Sequence, residues 1–312
     1  MSCALWLKQL GFSPILIEPG AALGGQLLGI NRVNRWLLGL PGKTGPQLAE
    51  LYGRHVLDEA IEIRLNTRPV AVMAEDSGFS LTLREGENRP VSLPARALVI
   101  ATGLRVRSGE ILQSIPGALP VYESGLLSFF PLDHLESAET LEGKRVAVIG
   151  GGDNAHFTAK DLASRAAIIH LIIRSRPRAQ PMVREDVERL IRQGRIHEHS
   201  GARITGFRQA PGGIAMTLAG NDAKVERIEV DRIFARTGFA PNTEFLAGLG
   251  LLAGLEKDGG GYVRVDAGKR VSLPFVYAIG DAANPDHPSV VTAMADGAVA
   301  ARSIVQDLGI QA

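Results

Sequence analysis

Small residues follow an apolar run at the spacing of a dinucleotide-binding turn. The segment VAVIGGGDNA places Gly150, Gly152 and Ala155 in the pattern G-x-G-x-x-A. The first glycine permits a tight turn, the second lets the backbone approach a pyrophosphate, and the small third residue keeps helix and strand close. Asp153 and Asn154 lie in the same loop and are predicted to bind the cofactor with it. The pattern predicts a pyrophosphate at a helix N-terminus, with a ligand-free glycine turn as the alternative.

The end of the next apolar run selects between the two nicotinamide cofactors. Arg174, Arg176 and Arg178 stand there, and no carboxylate accompanies them. A guanidinium pairs well with a 2′-phosphate, whereas a carboxylate would bind a free ribose hydroxyl. The segment therefore favours NADPH over NADH. The alternative is a solvated basic face, since arginines continue to Arg195.

The remaining residues that could do chemistry point to no metal centre and no nucleophile. Cys3 is the one cysteine, so an internal disulfide, a CxxC pair and an all-cysteine metal site are excluded. We expect Cys3 to be a small core residue, and any redox chemistry to belong to a bound cofactor. The segment His197–His199 (HEH) lacks further metal ligands nearby and is predicted to be a solvated strand face.

Composition fits a soluble globular chain of two domains. The chain has 312 residues and a formal net charge of +1, which gives no reason to expect nucleic acid or an anionic membrane as a partner. It contains neither an apolar run of about 20 residues nor a cleavable leader, so a cytoplasmic location is expected.

Strand–turn–helix–strand patterns occur in two places, which predicts an α/β fold. The middle unit is contiguous and the outer one is split between the two ends of the chain. We therefore predict two Rossmann-like, three-layer dinucleotide-binding domains, one inserted into the other. Helices are expected over residues 46–60 and 183–194 and from Ser289 to Leu308, and C-terminal strands over 261–265 and 275–279.

Several segments of the outer unit resemble one family. ILIEPGAALGGQL, ALVIATG, ARTGFAPNT, VYAIGDAA and VVTAMADGAVAA are similar to the FAD domain of the thioredoxin-reductase-like flavoproteins, a group of pyridine nucleotide-disulfide oxidoreductases. The resemblance implies an FAD domain formed by residues 1–115 and 237–312, and an NAD(P)H domain formed by residues 116–236. It also implies FAD and NADPH as cofactors and a homodimer.

The resemblance implies a role for particular residues around the FAD. The implied positions are Glu18 at the adenosine ribose, Gly24, Gly25 and Gln26 beside the flavin, Thr102 and Gly103 along the pyrophosphate side, Gly280 and Asp281 at the ribityl chain, and the helix that begins near Val291 at the flavin pyrimidine edge. Arg174 and Arg178 match the basic NADPH positions, while Ser175 replaces a further basic residue. Trp36 lies near the flavin by family position, or else packs its own loop. The hydride step needs no catalytic acid or base.

Two departures from the family matter. The CxxC of thioredoxin reductases is missing, so no dithiol relays electrons and the acceptor stays open: a ferredoxin- or flavodoxin-type protein, or a small-molecule disulfide. The chain also begins after the family's first strand and GxGxxG turn. A misassigned start codon is the favoured explanation. The alternative is a degenerate member that binds FAD weakly or not at all, a nucleotide-binding pseudo-reductase.

Overall fold

The computed structural model describes residues 1–130, 138–220 and 225–309. No helix within these ranges is both long enough and apolar enough to span a membrane. Helices follow strands along the chain and parallel sheets occur at several places, which confirms the predicted α/β class.

The chain divides into two compact units. Unit 1 combines Met1–Arg105 with Ala240–Ala312, and unit 2 is Val106–Phe239, so the second is inserted into the first. The first division falls ten residues before the one expected from sequence, because Ile111 packs with Ala118 in the core of unit 2. Which cofactor each unit binds stays a prediction.

Unit 1 combines helices with several small sheets. With numbering that runs along the whole chain, its elements are α1 (Ser2–Gln9), β1 (Ile15–Ile17), α2 (Gly45–Asp58), β2 (Glu62–Arg64), β3 (Thr67–Glu75), β4 (Gly78–Glu85), β5 (Val91–Ala95), β6 (Leu98–Ile100), β17 (Val276–Ala278) and α7 (Val290–Asp307). Strands β7 (Leu104–Val106) and β16 (Phe239–Pro241) each contain a division between the units. Strands β1 and β2 pair in parallel, as do β6 and β17, while β3, β4 and β5 form an antiparallel sheet. The predicted helices over 46–60 and from Ser289 are therefore confirmed as α2 and α7.

The prediction of a strand over residues 261–265 is wrong. This segment makes one isolated bridge, between Val263 and Lys257. The Asp258 carboxylate accepts hydrogen bonds from the backbone N–H groups of Gly260 and Tyr262, at 2.8 and 2.9 Å. Such local side-chain bonds compete with a sheet ladder, so the apolar alternation in the sequence does not produce a strand.

Unit 2 is built on a parallel five-stranded sheet. Its elements are α3 (Gly109–Ser114), α4 (Ala118–Glu123), β8 (Leu127–Ser128), β9 (Arg145–Ile149), α5 (Asp153–Leu162), β10 (Ile168–Ile173), α6 (Pro181–Arg192), β11 (Ile196–Ser200), β12 (Arg203–Ala210), β13 (Gly213–Ala219), β14 (Val225–Val230) and β15 (Arg232–Ala235). The strand order is β11-β10-β9-β15-β8, and β12, β13 and β14 form a separate antiparallel sheet.

Both faces of the parallel sheet are buried, which makes unit 2 three-layered. Val146 and Val148 on β9 pack with the helix α5 side, and Ala147 packs with Phe207 and Met216 of the antiparallel sheet. A strand covered on both faces requires a continuous apolar run, and RVAVI is one. The central strand β9 therefore ends in the glycine turn at a fixed position.

Candidate functional site

The glycine turn after β9 has the geometry that the sequence predicts. Gly150 has φ +143°, and a Cβ built there would lie 2.3 Å from the carbonyl oxygen of Arg236 and 3.1 Å from the Cβ of Ala155. Only glycine fits such a position, because the φ value and the contact both exclude a side chain. The small Ala155 lets α5 begin close to β9.

Gly152 differs from Gly150 in having open space beside it. It precedes α5 with φ −97° and ψ −176°, and no described atom lies within 4 Å of a Cβ built there. The first N–H groups of a helix lack intrahelical acceptors and carry the positive end of the helix dipole. Open space at this end can therefore admit a phosphate group.

The Asp153 carboxylate holds the following loop in place. Its two oxygens accept hydrogen bonds from the backbone N–H and the side-chain amide of Gln180, at 2.7 and 2.9 Å. The backbone N–H of Arg178 donates to the carbonyl of Gly151 at 2.6 Å. The Asn154 side chain is exposed beside it. Asp153 therefore holds the end of loop 174–180 against the start of α5 through Gln180.

The side chains of the arginines in that loop have no described partner, while two of the arginines that follow are held by other groups. Arg174, Arg176 and Arg178 are exposed and make no side-chain hydrogen bond or ion pair with another described residue. In contrast, Arg184 pairs with two glutamates, and Arg195 donates to backbone carbonyls of residues 163 and 166. This division favours an anion site over a uniformly solvated basic face.

A buried histidine lies beneath the turn, and sequence reasoning missed it. His156 is fully buried, and its Nδ1 lies 3.0 Å from the Gly152 carbonyl oxygen. Burial is the main cause that lowers its pKa, so the ring stays neutral near pH 7. Its Nε2 lies 3.5 Å from Arg184, which also bonds Glu198. No local sequence pattern predicts this contact, because His156, Arg184 and Glu198 lie on three different elements, α5, α6 and β11.

Three buried oxygens of unit 1 lack a hydrogen-bond partner among the described residues, and one of them is the Tyr52 hydroxyl. The other two, Thr102 Oγ1 and Asp281 Oδ1, belong to predicted site residues. Burial is the main cause that raises the pKa of Asp281, and the backbone N–H of Ser289 acts in the opposite direction. An unsatisfied buried polar group costs about 1–3 kcal/mol. Both atoms fit a site that a polar ligand completes.

The topology places these two residues at the same edge of a sheet. Strands β6 and β17 pair in parallel, with Ile100 opposite Ala278, and Ile279 N–H donates to the Ile100 carbonyl at 2.9 Å. Thr102 and Asp281 follow shortly after the paired ends. The carboxyl edge of parallel strands is where ligands bind in α/β sheets.

Gly103 and Gly280 shape the turns at this edge. Both have φ +64°. The Gly103 carbonyl accepts a hydrogen bond from the backbone N–H of Asn242 at 2.8 Å, and the Asn242 amide lies 3.4 Å from the Thr102 carbonyl. Asn242 is a site-positioning residue that sequence reasoning missed, although it stands in the segment ARTGFAPNT.

Gly24 and Gly25 form a turn with positive φ at both residues. The next residue, Gln26, joins this turn to the segment that follows Gly103. Gly24 has φ +129°, and a Cβ there would lie 2.5 Å from the Cβ of Ala49. Gly25 has φ +52° and open space beside it. The Gln26 amide donates to the Leu104 carbonyl at 2.7 Å. The position of this turn beside a flavin stays a prediction.

Glu18 lies at the carboxyl end of β1, in a different two-stranded sheet. Its Oε1 accepts the backbone N–H of Gly20 at 2.7 Å, which leaves the other carboxylate oxygen for a ligand. Within the described part of the chain, no hydrogen bond joins this carboxylate to Thr102 or Asp281. Its place at an adenosine ribose stays a prediction.

Helix α7 begins with a capped N-terminus. The Ser289 hydroxyl accepts the N–H of Thr292 at 3.1 Å, which satisfies one of the free donors of the first turn. Val291 is 46% exposed in that turn, and Trp36 is 77% exposed in its loop. Both side chains are accessible, and a flavin beside either of them stays a prediction.

The histidines of β11 lie near other titratable side chains. His199 lies 3.0 Å from His170 and 3.2 Å from a Glu226 carboxylate oxygen, whereas Glu198 bonds Arg184 and Ser200. Within the described residues, no group of three or more histidine, cysteine or acidic side chains could hold a metal ion.

Similarity to known proteins extends over most of the chain. Residues 1–297 match the family described as pyridine nucleotide-disulphide oxidoreductase. The chain is 26% identical over 319 residues to thioredoxin reductase of Coxiella burnetii, covering 96% of this chain and 90% of the relative. It is 26% identical over 282 residues to NADH dehydrogenase of Bacillus subtilis, covering 89% of this chain and 51% of that one.

A solved structure shows the same fold. The crystal structure of T. acidophilum thioredoxin reductase superposes with a TM-score of 0.82 at 22% identity, over 98% of this chain and 94% of that one. Together these matches extend over nearly the whole chain, in both units.

Proposed function

The chain belongs to the pyridine nucleotide-disulphide oxidoreductase family, and on that premise we propose that it passes electrons from NADPH through FAD directly to an external acceptor. The family membership makes it an NAD(P)H-dependent flavin oxidoreductase that uses FAD. We further propose that reduced flavin passes electrons straight to the external acceptor, that NADPH is the electron donor, and that each unit binds one of the two cofactors.

The cysteine content is the observation that carries the proposal. Cys3 is the one cysteine in the sequence, and it is 5% exposed in α1. Burial raises the pKa of its thiol to about 11, which keeps it protonated and unreactive near neutral pH. The 312 residues contain no pair of cysteines that could carry electrons between flavin and acceptor. In this proposal the electrons therefore leave the flavin directly.

Unit 2 is proposed to bind NADPH. The pyrophosphate would lie beside Gly152 at the start of α5, where space and helix dipole favour an anion. Asp153, by binding Gln180, holds the loop that presents Arg174 and Arg178 to the 2′-phosphate. These residues bind and orient the cofactor and take no part in bond making.

Unit 1 is proposed to bind FAD. Bound flavin supplies two-electron chemistry that the side chains lack. Asp281 and Thr102 would each gain a partner from the hydroxyl and phosphate groups of the cofactor, which would remove their unsatisfied state. The N-terminus of α7, near Val291, can stabilise negative charge that develops on reduction.

Purified full-length chain tests the proposal through its visible spectrum. We expect flavin absorption that bleaches under anaerobic conditions on addition of NADPH, and more slowly with NADH at the same concentration. Reoxidation by a disulfide, a flavodoxin or ferredoxin, and dioxygen, compared in parallel, then identifies the acceptor class. A colourless folded protein that binds only NADPH would refute the proposal and favour a nucleotide-binding pseudo-reductase.

Cys3→Ala is the matched control. The alanine removes a buried thiol that packs with Tyr277 and Ile279 and has no proposed part in electron transfer, so flavin reduction and reoxidation rates should match those of the unsubstituted chain. A variant that is reduced by NADPH but no longer transfers electrons would contradict direct transfer.

A further inference from the structure

A buried ion pair lies next to the turn that bears Asp281. The Asp296 side chain is 9% exposed and Lys269 is 22% exposed, and Lys269 Nζ lies 2.6 Å from Asp296 Oδ1. The other Asp296 oxygen accepts the backbone N–H of Gly280 at 3.1 Å. Asp296 thus connects a cation to the residue that immediately precedes Asp281.

The backbone around Lys269 is unusual for its residue type. Lys269 has φ +67°, a conformation that costs a non-glycine residue about 1–2 kcal/mol. Its N–H donates to the Asp266 carbonyl at 3.0 Å, and its carbonyl accepts from Ala278 N–H at 3.0 Å. The second bond joins it to the last residue of β17. Lys269 is therefore fixed to the strand that leads into the Gly280 turn.

Three charged groups in this region influence one another: Lys269, Asp296 and Asp281. Asp296 raises the pKa of Asp281 through its negative charge, in addition to the larger effect of burial. Lys269 lies against Asp296 and offsets that charge. Without the lysine, the negative charge of Asp296 would act on Asp281 without this offset, and like charges in a buried region disfavour ionisation.

A buried ion pair is weak evidence for stability, because desolvation offsets much of the attraction. Its contacts with the Gly280 N–H and its proximity to Asp281 point to a different use. We infer that Lys269 and Asp296 are positioning residues, which hold the Gly280–Asp281 turn and keep Asp281 ready to accept a ribityl hydroxyl of FAD. This inference rests on the proposed function.

A double-mutant cycle in the full-length chain tests it. FAD is removed and its dissociation constant is measured by fluorescence titration for the unsubstituted chain, Lys269→Gln, Asp296→Asn and the double variant. We expect Lys269→Gln to weaken FAD binding at least 10-fold, because it leaves an unpaired carboxylate beside Asp281. The double variant should recover at least threefold relative to Lys269→Gln, since Gln and Asn form a neutral hydrogen-bonded pair.

Asp307→Asn is the matched control. Asp307 also lies on α7 and is ion-paired, with Arg270 Nε at 2.6 Å, but its hydrogen bonds go to Arg270 and Tyr277 rather than to the Gly280 turn. The control should lower the melting temperature and leave the FAD dissociation constant within twofold. If Lys269→Gln does not fold, the neutral double variant should still bind FAD at least threefold more weakly than the unsubstituted chain.

The outcomes separate two failures. If the unsubstituted chain binds no FAD, the proposed function fails and this inference falls with it. If it binds FAD and the foldable variants at residues 269 and 296 bind within twofold of it, or if the two substitutions are additive, the proposed function stands and the positioning role is overturned.

Discussion

Gly150→Ala should destabilise unit 2, because the turn leaves no room for a methyl group. A Cβ at residue 150 lies 2.3 Å from the Arg236 carbonyl oxygen, and the φ of +143° is itself unfavourable for alanine. Overpacking costs about 1–3 kcal/mol, and a forced backbone conformation costs about 1–3 kcal/mol. We therefore expect a loss of about 2–6 kcal/mol in the free energy of unfolding, and each kcal/mol lowers the melting temperature by about 3 °C. Differential scanning calorimetry of the full-length chain measures it.

Gly152→Ala separates the ligand role of the loop from its folding role. No described atom lies within 4 Å of a Cβ there, and the backbone is extended, so the melting temperature should change by at most about 1–2 °C. The methyl group would fill the space proposed for the pyrophosphate, so calorimetric titration should show NADPH affinity reduced at least 10-fold. An unchanged melting temperature for Gly150→Ala refutes the turn geometry, and unchanged NADPH affinity for Gly152→Ala refutes the phosphate site.

Three further experiments test other parts of the site. Asp281→Ala should weaken FAD binding at least 10-fold in a fluorescence titration. The melting temperature of the FAD-free protein should not fall, because the substitution removes an unsatisfied buried oxygen. A strongly lowered melting temperature would contradict this. Arg174→Gln with Arg178→Gln should raise the KM for NADPH at least 10-fold and change the KM for NADH less than threefold, since only NADPH carries the 2′-phosphate; equal effects would argue for a nonspecific basic face. The pKa of His170 is lowered to about 4, chiefly by burial and then by His199 and His197, so between about pH 6.5 and 4 the unfolded chain binds a proton that the folded chain does not, and stability to urea should fall as the pH falls. His170→Gln should reduce that pH dependence, and an identical profile would show that another group is responsible.

The sequence predicts features that depend on neighbours along the chain. Gly150 and Ala155 can be assigned because a strand, a turn and a helix follow one another within one short segment. A glycine-rich loop can be predicted around residues 24–26 in the same way, and the structure shows positive φ at both Gly24 and Gly25, whereas the role of this loop beside a flavin comes from the family resemblance. Local patterns are enough in these cases, since the backbone conformation itself requires the residue type.

Contacts between distant parts of the chain cannot be predicted in this way. The loop position of Asp153 predicts a contact with a cofactor, whereas the structure shows its carboxylate bound to Gln180 in the loop beyond β10. Asn242 and Lys269 reach their partners only after strands bring distant segments together. The wrong strand prediction at 261–265 has a local cause. The Asp258 carboxylate accepts hydrogen bonds from nearby backbone N–H groups, and the apolar alternation of the sequence does not reveal this.

The two ends of unit 2 are neighbours in space. Arg107 N–H donates to the Gly238 carbonyl at 3.1 Å, and the Thr237 hydroxyl donates to the Arg107 carbonyl at 2.7 Å. A segment whose entry and exit lie one strand spacing apart can occupy a loop of a host protein without stretching it. The adjacent ends of unit 2 therefore let the chain leave unit 1 and return to it without a long connection.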